Sequence, residues 1–282
     1  MTQAGASVLL AETEVREAAL RLQDVLRRLG RVVVAFSGGA DSSYLAHAAT
    51  AVLGRDGALC VTAVSPSLAP EELEDCRALA DEWDLRWTTV VTAELDDPAY
   101  AANGSDRCFH CKASLMQAVE PLAGAEQATV VLGVNVDDLG DHRPGQRAAA
   151  GRGAAFPLVE AAMSKDLVRQ ASRRAGLRTW DKPAAACLAS RLPYGTPVTL
   201  GRLETIAAAE SALRRLGFRQ LRVRHYGEVA RIEVPPEDLP RAVAERRRVV
   251  DAVRSAGYSY VTLDLDGFRS GNLNQALPGG GR

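Results

Sequence analysis

The strongest constraint on the fold lies near the N-terminus. There Arg31-Val32-Val33-Val34-Ala35-Phe36 breaks at Ser37-Gly38-Gly39-Ala40-Asp41-Ser42 and resumes with helical periodicity over 42–53. A β-branched run without polar alternation suits a strand buried on both faces, the environment of a parallel sheet flanked by helices. The pattern then repeats. Residues 58–65, 85–92 and 128–134 read as further strands, with helices over 14–29, from Pro70-Glu71-Glu72 onward, and over 107–120. Gly30 follows the first helix as its C-terminal cap. This alternation predicts an α/β fold whose ligands bind beyond the C-terminal strand ends. The turn at 37–42, Gly133-Val134-Asn135 and the loop after Cys60 are expected there.

Pro193, Gly195 and Pro197 interrupt this pattern and predict a boundary, with one domain over 1–196 and a smaller α+β domain over 197–282. The second is expected to hold a helix over 203–216, strands over 220–226 and 229–234, a helix over 237–255 and a strand over 258–264, with a frayed Leu277-Pro278-Gly279-Gly280-Gly281-Arg282 tail. Lys and Arg number 34 against 35 Asp and Glu, and this near balance argues against nucleic-acid or membrane-surface partners. No apolar run approaches about 18 residues, and residues 1–10 carry no basic segment ahead of an apolar stretch, so the expectation is a cytoplasmic protein.

The loop at 37–42 carries the first chemistry. Two glycines allow a tight turn whose N–H groups converge on an anion, and the helix that follows adds its positive N-terminus. Ser37 and Ser42 offer hydroxyls, and Asp41 is placed to hold Mg²⁺ carried by a triphosphate. The loop has no lysine, which separates it from the phosphate loop of kinases and GTPases. Ser-Gly-Gly-x-Asp-Ser resembles instead the PP-loop of ATP pyrophosphatases, which cleave ATP between its α and β phosphates, so Ser37, Gly38, Gly39, Asp41 and Ser42 are expected to bind ATP. Downstream, Asp137, Asp138, Asp141, His142 and Arg143 follow the fourth strand, and Ser164 caps a helix over 164–175. Lys165 resembles the lysine that PP-loop synthetases direct at departing pyrophosphate.

Five cysteines, Cys60, Cys76, Cys108, Cys111 and Cys187, do not form the even framework of a secreted domain. Cys60 lies in an apolar run and reads as a core thiol; Cys76 lies in a charged helical stretch and reads as structural or indifferent. Cys108-Phe109-His110-Cys111 opens a helix beside Arg107 and Lys112, surroundings that favour thiolate. At that spacing two thiolates can share a metal, form a redox pair or do neither. Zinc ordinarily wants four ligands, and there is no second C-x-x-C. Cys187, between Pro183 and Arg191, reads as a thiol carried on a loop.

Taken together, the Ser37 loop, Arg107-Cys108-Phe109-His110-Cys111-Lys112, the segment 133–145, Asp181-Lys182-Pro183-Ala184-Ala185-Ala186-Cys187-Leu188-Ala189-Ser190-Arg191 and the segments at 221–234 and 265–274 resemble the LarE family. Its members are ATP-dependent sulfur transferases of nickel-pincer nucleotide biosynthesis. The resemblance implies a small-molecule substrate, pyridinium-3,5-dicarboxylate mononucleotide, whose carboxylates become thiocarboxylates through acyl-adenylates. It also implies homo-oligomers. In one version of the family a single cysteine surrenders its sulfur and becomes dehydroalanine; in the other three cysteines hold a 4Fe–4S cluster. With Cys108, Cys111 and Cys187 all present, this chain resembles the cluster version, in which one iron stays open for sulfide. The sulfide donor is not legible.

Strand alternation places Arg222 and Arg224 on one face and Leu221 and Val223 on the other. Paired guanidiniums suit phosphate. Glu210 falls within the apolar stripe of Leu203, Ile206, Leu213 and Leu216, where a carboxylate needs a partner or a task. The family uses acidic and arginine residues of this module for substrate, which implies Glu210, Arg222 and Arg224, with Arg231 as a weaker fourth. The rival readings are an amidating PP-loop synthetase, which gives the three cysteines no task, a tRNA thiolase, which wants an added basic domain, and a regulator that binds ATP without turnover.

Overall fold

A computed structural model of the chain describes residues 3–140, 144–183 and 186–269. Asp141, His142, Arg143 and the C-terminal tail, named above, lie outside the described residues. In chain order the elements are α1 (Gln3–Leu29), β1 (Val32–Ala35), α2 (Ala40–Leu53), β2 (Ala58–Val64), α3 (Pro70–Glu82), β3 (Arg86–Val91), α4 (Pro98–Ala101), α5 (Arg107–Glu126), β4 (Thr129–Leu132), α6 (Pro144–Ala150), α7 (Pro157–Glu160), α8 (Lys165–Arg174), α9 (Leu200–Arg215), β5 (Arg222–Tyr226), β6 (Val229–Glu233), α10 (Leu239–Ala244), α11 (Arg246–Arg254) and β7 (Tyr260–Leu263).

Two compact units emerge. The first comprises Met1–Val64, Glu72–Thr92 and Cys108–Ala185; the second comprises Ser65–Glu71, Ala93–Arg107 and Ala186–Arg282. Where the sequence reading divides the chain at 196/197, the second unit also takes in residues 186–196 and two earlier segments.

The first unit is built on a four-stranded parallel sheet in the order β3-β2-β1-β4. Its central strand β1 is apolar because both faces are covered: Val32 and Val34 pack with Leu22, Leu45 and Leu158, and Val33 packs with Met116, Val119 and Leu132. The chain reverses direction across the sheet between β1 and β4, which opens the crevice where open α/β sheets bind ligands. The helix expected to end at 120 runs on to Glu126 with Pro121 inside it.

In the second unit β5, β6 and β7 form a three-stranded sheet, β5 antiparallel and β7 parallel to β6. Ala209, Leu213, Val223, Ile232, Val249 and Val253 make the core between one sheet face and the helices α9 and α11. The single helix expected over 237–255 is two, α10 and α11, separated at Glu245, whose ψ of 17° departs from helical geometry.

Candidate functional sites

In the first unit, three segments converge at the β1/β4 crevice. The loop after β1 turns at Gly38, whose φ of +66° suits glycine. Gly39 then precedes α2 without a side-chain cap, so the first N–H groups of α2 are not satisfied from that position. The Ser42 hydroxyl closes the turn: it accepts from Ser37 N at 3.2 Å, lies 3.0 Å from Ser37 Oγ and donates to Gly39 O at 3.2 Å. The second segment, after β4, presses against α2. A Cβ on Gly133 would fall 2.7 Å from Ser42 N and 2.9 Å from Asp41 C, so only glycine permits this approach. Asn135 and Asp138 cap one another, each backbone N–H donating to the other side chain at 3.2 Å. The third segment is the start of α8, where Lys165 N donates to Asp137 Oδ2 at 2.7 Å and Ser164 Oγ accepts from Leu167 N at 3.3 Å.

Asp41 sits at the convergence. Burial pushes its carboxyl above the ordinary carboxylate range; the Asn135 side chain opposes the rise, the Asp138 charge adds to it, and Lys165 and Arg169 draw it down. Although Asn135 lies beside the carboxylate, neither Asp41 Oδ1 nor Asn135 Nδ2 has a partner at full hydrogen-bonding geometry among the described residues. An orphaned buried carboxylate oxygen next to a second carboxylate fits a hard divalent cation that brings its remaining oxygens as water and phosphate. This corner therefore offers N–H groups, hydroxyls and an acidic pair to one polyphosphate.

The C-x-x-C occupies the first turn of α5 in the same unit, Cys108 exposed and Cys111 half-buried. It connects physically to the crevice: a Cβ on Gly145 of α6 would lie 2.8 Å from Cys108 O and 2.7 Å from Lys112 Cγ, and Gln146 Nε2 donates to Asp138 O at 3.3 Å. Cys60 and Cys76 are fully buried, and burial pushes their thiols up to about 12 and about 11.

The second unit carries Cys187, exposed, immediately before a turn of 3₁₀ helix over Leu188–Arg191. A loop of this kind has carbonyls that no sheet or helix can satisfy, and side chains take them instead. Arg191 Nη1 donates to Ala186 O at 2.6 Å and Cys187 O at 3.2 Å. Arg107 Nη1 donates to Ala189 O at 3.0 Å, Arg224 Nη1 to Ser190 O at 2.7 Å, and Asn103 Nδ2 to Pro193 O and Thr196 O at 2.8 and 2.9 Å. Leu188 N donates to Ser67 O at 2.8 Å.

Two of these guanidiniums are anchored by buried carboxylates. Glu210, fully buried, accepts from Arg191 at 2.8 and 3.0 Å, from Arg214 at 3.1 Å and from Val223 N at 3.0 Å. Glu233, equally buried, accepts from Arg224 at 3.0 and 2.9 Å and from Arg231 at 3.2 Å. Glu210 thus accepts four hydrogen bonds and Arg224 donates three, and through Arg191 and Ser190 O both help to hold the Cys187 loop. Arg231 also faces Asp264 at 3.4 Å. Arg222 differs. Among the described residues no carboxylate pairs with it; it lies over the Phe268 ring at 4.5 Å and reaches Arg269 O at 3.4 Å. Burial, then the Arg224 and Arg191 charges, push its pKa down to about 10, which still leaves a cation at neutral pH.

Sequence reasoning missed Asn103 and Glu233, and it took Arg107 only as a cation beside the C-x-x-C, not as a donor to the Cys187 loop. Asn103 and Arg107 bond to one another across the irregular turn between α4 and α5, where no helical or strand spacing marks them in the sequence. Among the described residues no three His, Cys, Asp or Glu side chains stand together as a metal site, and no helix is long and apolar enough to cross a membrane.

The parallel sheet, the glycine turn at α2 and the pairing of Asp41 with Asp138 beyond β4 fit a PP-loop domain that uses ATP. Residues 14–113 match the NAD synthase family, and a glutamine-dependent NAD(+) synthetase of Rhodobacter capsulatus is 36% identical over 96 residues, 33% of this chain and 17% of that one. Over nearly the full length, protein slr1717 of Synechocystis sp. is 46% identical across 259 residues, 91% of this chain and 96% of that protein. The pyridinium-3,5-bisthiocarboxylic acid mononucleotide synthase of Lactiplantibacillus plantarum is 37% identical over 253 residues, 89% of this chain and 92% of its own. The chain belongs to the LarE family of ATP-using sulfur transferases.

Proposed function

We infer that this enzyme inserts sulfur into the carboxylates of pyridinium-3,5-dicarboxylate mononucleotide. The observation that carries the reading is the exposed Cys187 on a loop whose carbonyls are held by Arg107, Arg191, Arg224 and Asn103, in a chain 37% identical to the Lactiplantibacillus synthase. A carboxylate resists substitution because its oxygen leaves poorly. Transfer of AMP from ATP makes an acyl-adenylate and releases pyrophosphate. The N–H groups of α2, Ser37, Gly38, Gly39, Ser42 and Lys165 are suited to stabilise the departing charge, and Mg²⁺ held at Asp41 would neutralise part of it. Arg222, which pairs with no carboxylate among the described residues, is the residue we assign to the substrate phosphate; Arg231, on the facing strand β6, is a weaker candidate, and Glu210 and Arg224 act by positioning.

Delivery of sulfur admits two readings. Cys108, Cys111 and Cys187 are the right donors in kind and number to hold a 4Fe–4S cluster with one iron open, which would supply a replaceable sulfide. In the second reading the Cys187 thiolate attacks the adenylate carbonyl and expels AMP. A base then removes the Cys187 α-proton, the Cβ–S bond breaks, and the products are a thiocarboxylate and dehydroalanine. The exposure of Cys187 favours keeping this second reading.

Anaerobic purification with iron and sulfide analysis, followed by intact-mass measurement after turnover, separates the two. Iron with an unchanged protein mass supports the cluster. Loss of one sulfur and two hydrogens, with no iron bound, supports sacrifice of Cys187. Pyrophosphate release that ignores the pyridinium substrate would overturn the whole assignment. The family resemblance further supports a homo-oligomer and leaves the sulfide donor open.

A further inference from the structure

We propose that Lys182 is a phosphate-binding residue of the nucleotide site, supplying from the far end of the first unit the cation that the loop at 37–42 lacks. The proposal rests on the reading of that loop as an ATP site. Its geometric basis is Gly38. The position a Cβ would take there is 3.0 Å from Cys76 Sγ, 3.5 Å from Leu79 Cδ1 and 3.7 Å from Lys182 Nζ, so the ammonium is within van der Waals reach of the space beside the turn.

Lys182 reaches this place on a tether of two carboxylates. Its Nζ donates to Glu72 Oε2 at 2.9 Å and Asp75 Oδ2 at 2.7 Å, and its side chain is 20% exposed. An ammonium has three donors, and these two carboxylates occupy two of them. Arg178 shares Asp75 at 2.7 Å and also binds Glu82 at 2.8 Å. Two cations therefore face three carboxylates, Glu72, Asp75 and Glu82. An acidic excess beside an anion-binding turn weakens anion binding unless the nearest cation spends its free donor on the anion. Lysine suits this, being a compact charge on a flexible stem that can lean from one acceptor to another. Lys165 and Lys182 then serve opposite ends of the turn: the first acts on Asp41, the second stands at Gly38.

The alternative is a fastener, with Lys182 merely tying its segment to α3. Binding of Mg–ATP, AMP and inorganic pyrophosphate to the full-length protein, by calorimetric titration, distinguishes them. For Lys182→Met we expect about tenfold weaker binding of Mg–ATP and pyrophosphate, the loss typical of one charge-assisted hydrogen bond, with a smaller effect on AMP. Glu72→Gln provides the opposite sign. It frees the ammonium and removes a repelling charge, so pyrophosphate binding should tighten, whereas loss of a fastener would weaken it. Unchanged Mg–ATP affinity in Lys182→Met, or weaker binding in Glu72→Gln, overturns the proposal. Failure of the wild-type protein to bind Mg–ATP would instead overturn the reading of the loop.

Discussion

Glu210 shows how a residue's neighbours decide its task. Its fully buried carboxylate gathers Arg191, Arg214 and the Val223 amide, so truncation leaves the buried Arg191 guanidinium without its carboxylate. Glu210→Ala should lose about 3–5 kcal/mol, read as a fall in the urea midpoint; a loss under about 1 kcal/mol would mean that the pair is dispensable. The exposed and the buried thiols should separate by burial as well. Native-state alkylation mapped by mass should label Cys108 and Cys187 and spare Cys60 and Cys76, whose thiols burial holds up to about 12 and about 11. Prompt labelling of Cys76 would show that the first unit opens beside α3.

Elements place these residues by close backbone approach. At Gly133, β4 and the start of α2 meet so tightly that one methyl must part them. Gly133→Ala should cost about 1–3 kcal/mol and weaken ATP binding, measured by chemical denaturation and titration; full ATP affinity would show that the crevice tolerates the shift. The Cys187 loop is the other case. Pro193, Gly195 and Pro197 read in the sequence as a boundary, and the order of this loop comes from elsewhere in the sequence. Asn103 has a φ of 57°, and its side chain takes two of the loop's carbonyls. Asn103→Ala should therefore raise the alkylation rate of Cys187 well above its wild-type value, since both carbonyls lose their donor.

At the scale of the whole chain, near-balanced charge leaves stability to local pairs. Burial acts to raise the Asp75 carboxyl, but hydrogen bonds from Lys182 and Arg178 outweigh it and leave the pKa below the ordinary 3.8. The stability this supplies is complete above that value and lost as pH falls through the depressed folded one. The gap in thermal midpoint between wild type and Lys182→Met should accordingly narrow below pH 3.8; a constant gap would remove Asp75 from the account. The parallel sheet, the phosphate turn and the thiol positions were legible because each is local: β-branched runs, a glycine pair between strand and helix, and cysteines at helix and loop starts. What tertiary structure alone decided is partnership. It gave Glu210 and Arg224 buried ion-pair partners, left Arg222 with no paired carboxylate among the described residues and set Lys182 near Gly38. Alternation along a strand tells which face a guanidinium occupies, but its charge is spent on whichever carboxylate the folded chain brings within hydrogen-bonding distance, and that distance is not written in the spacing of residues.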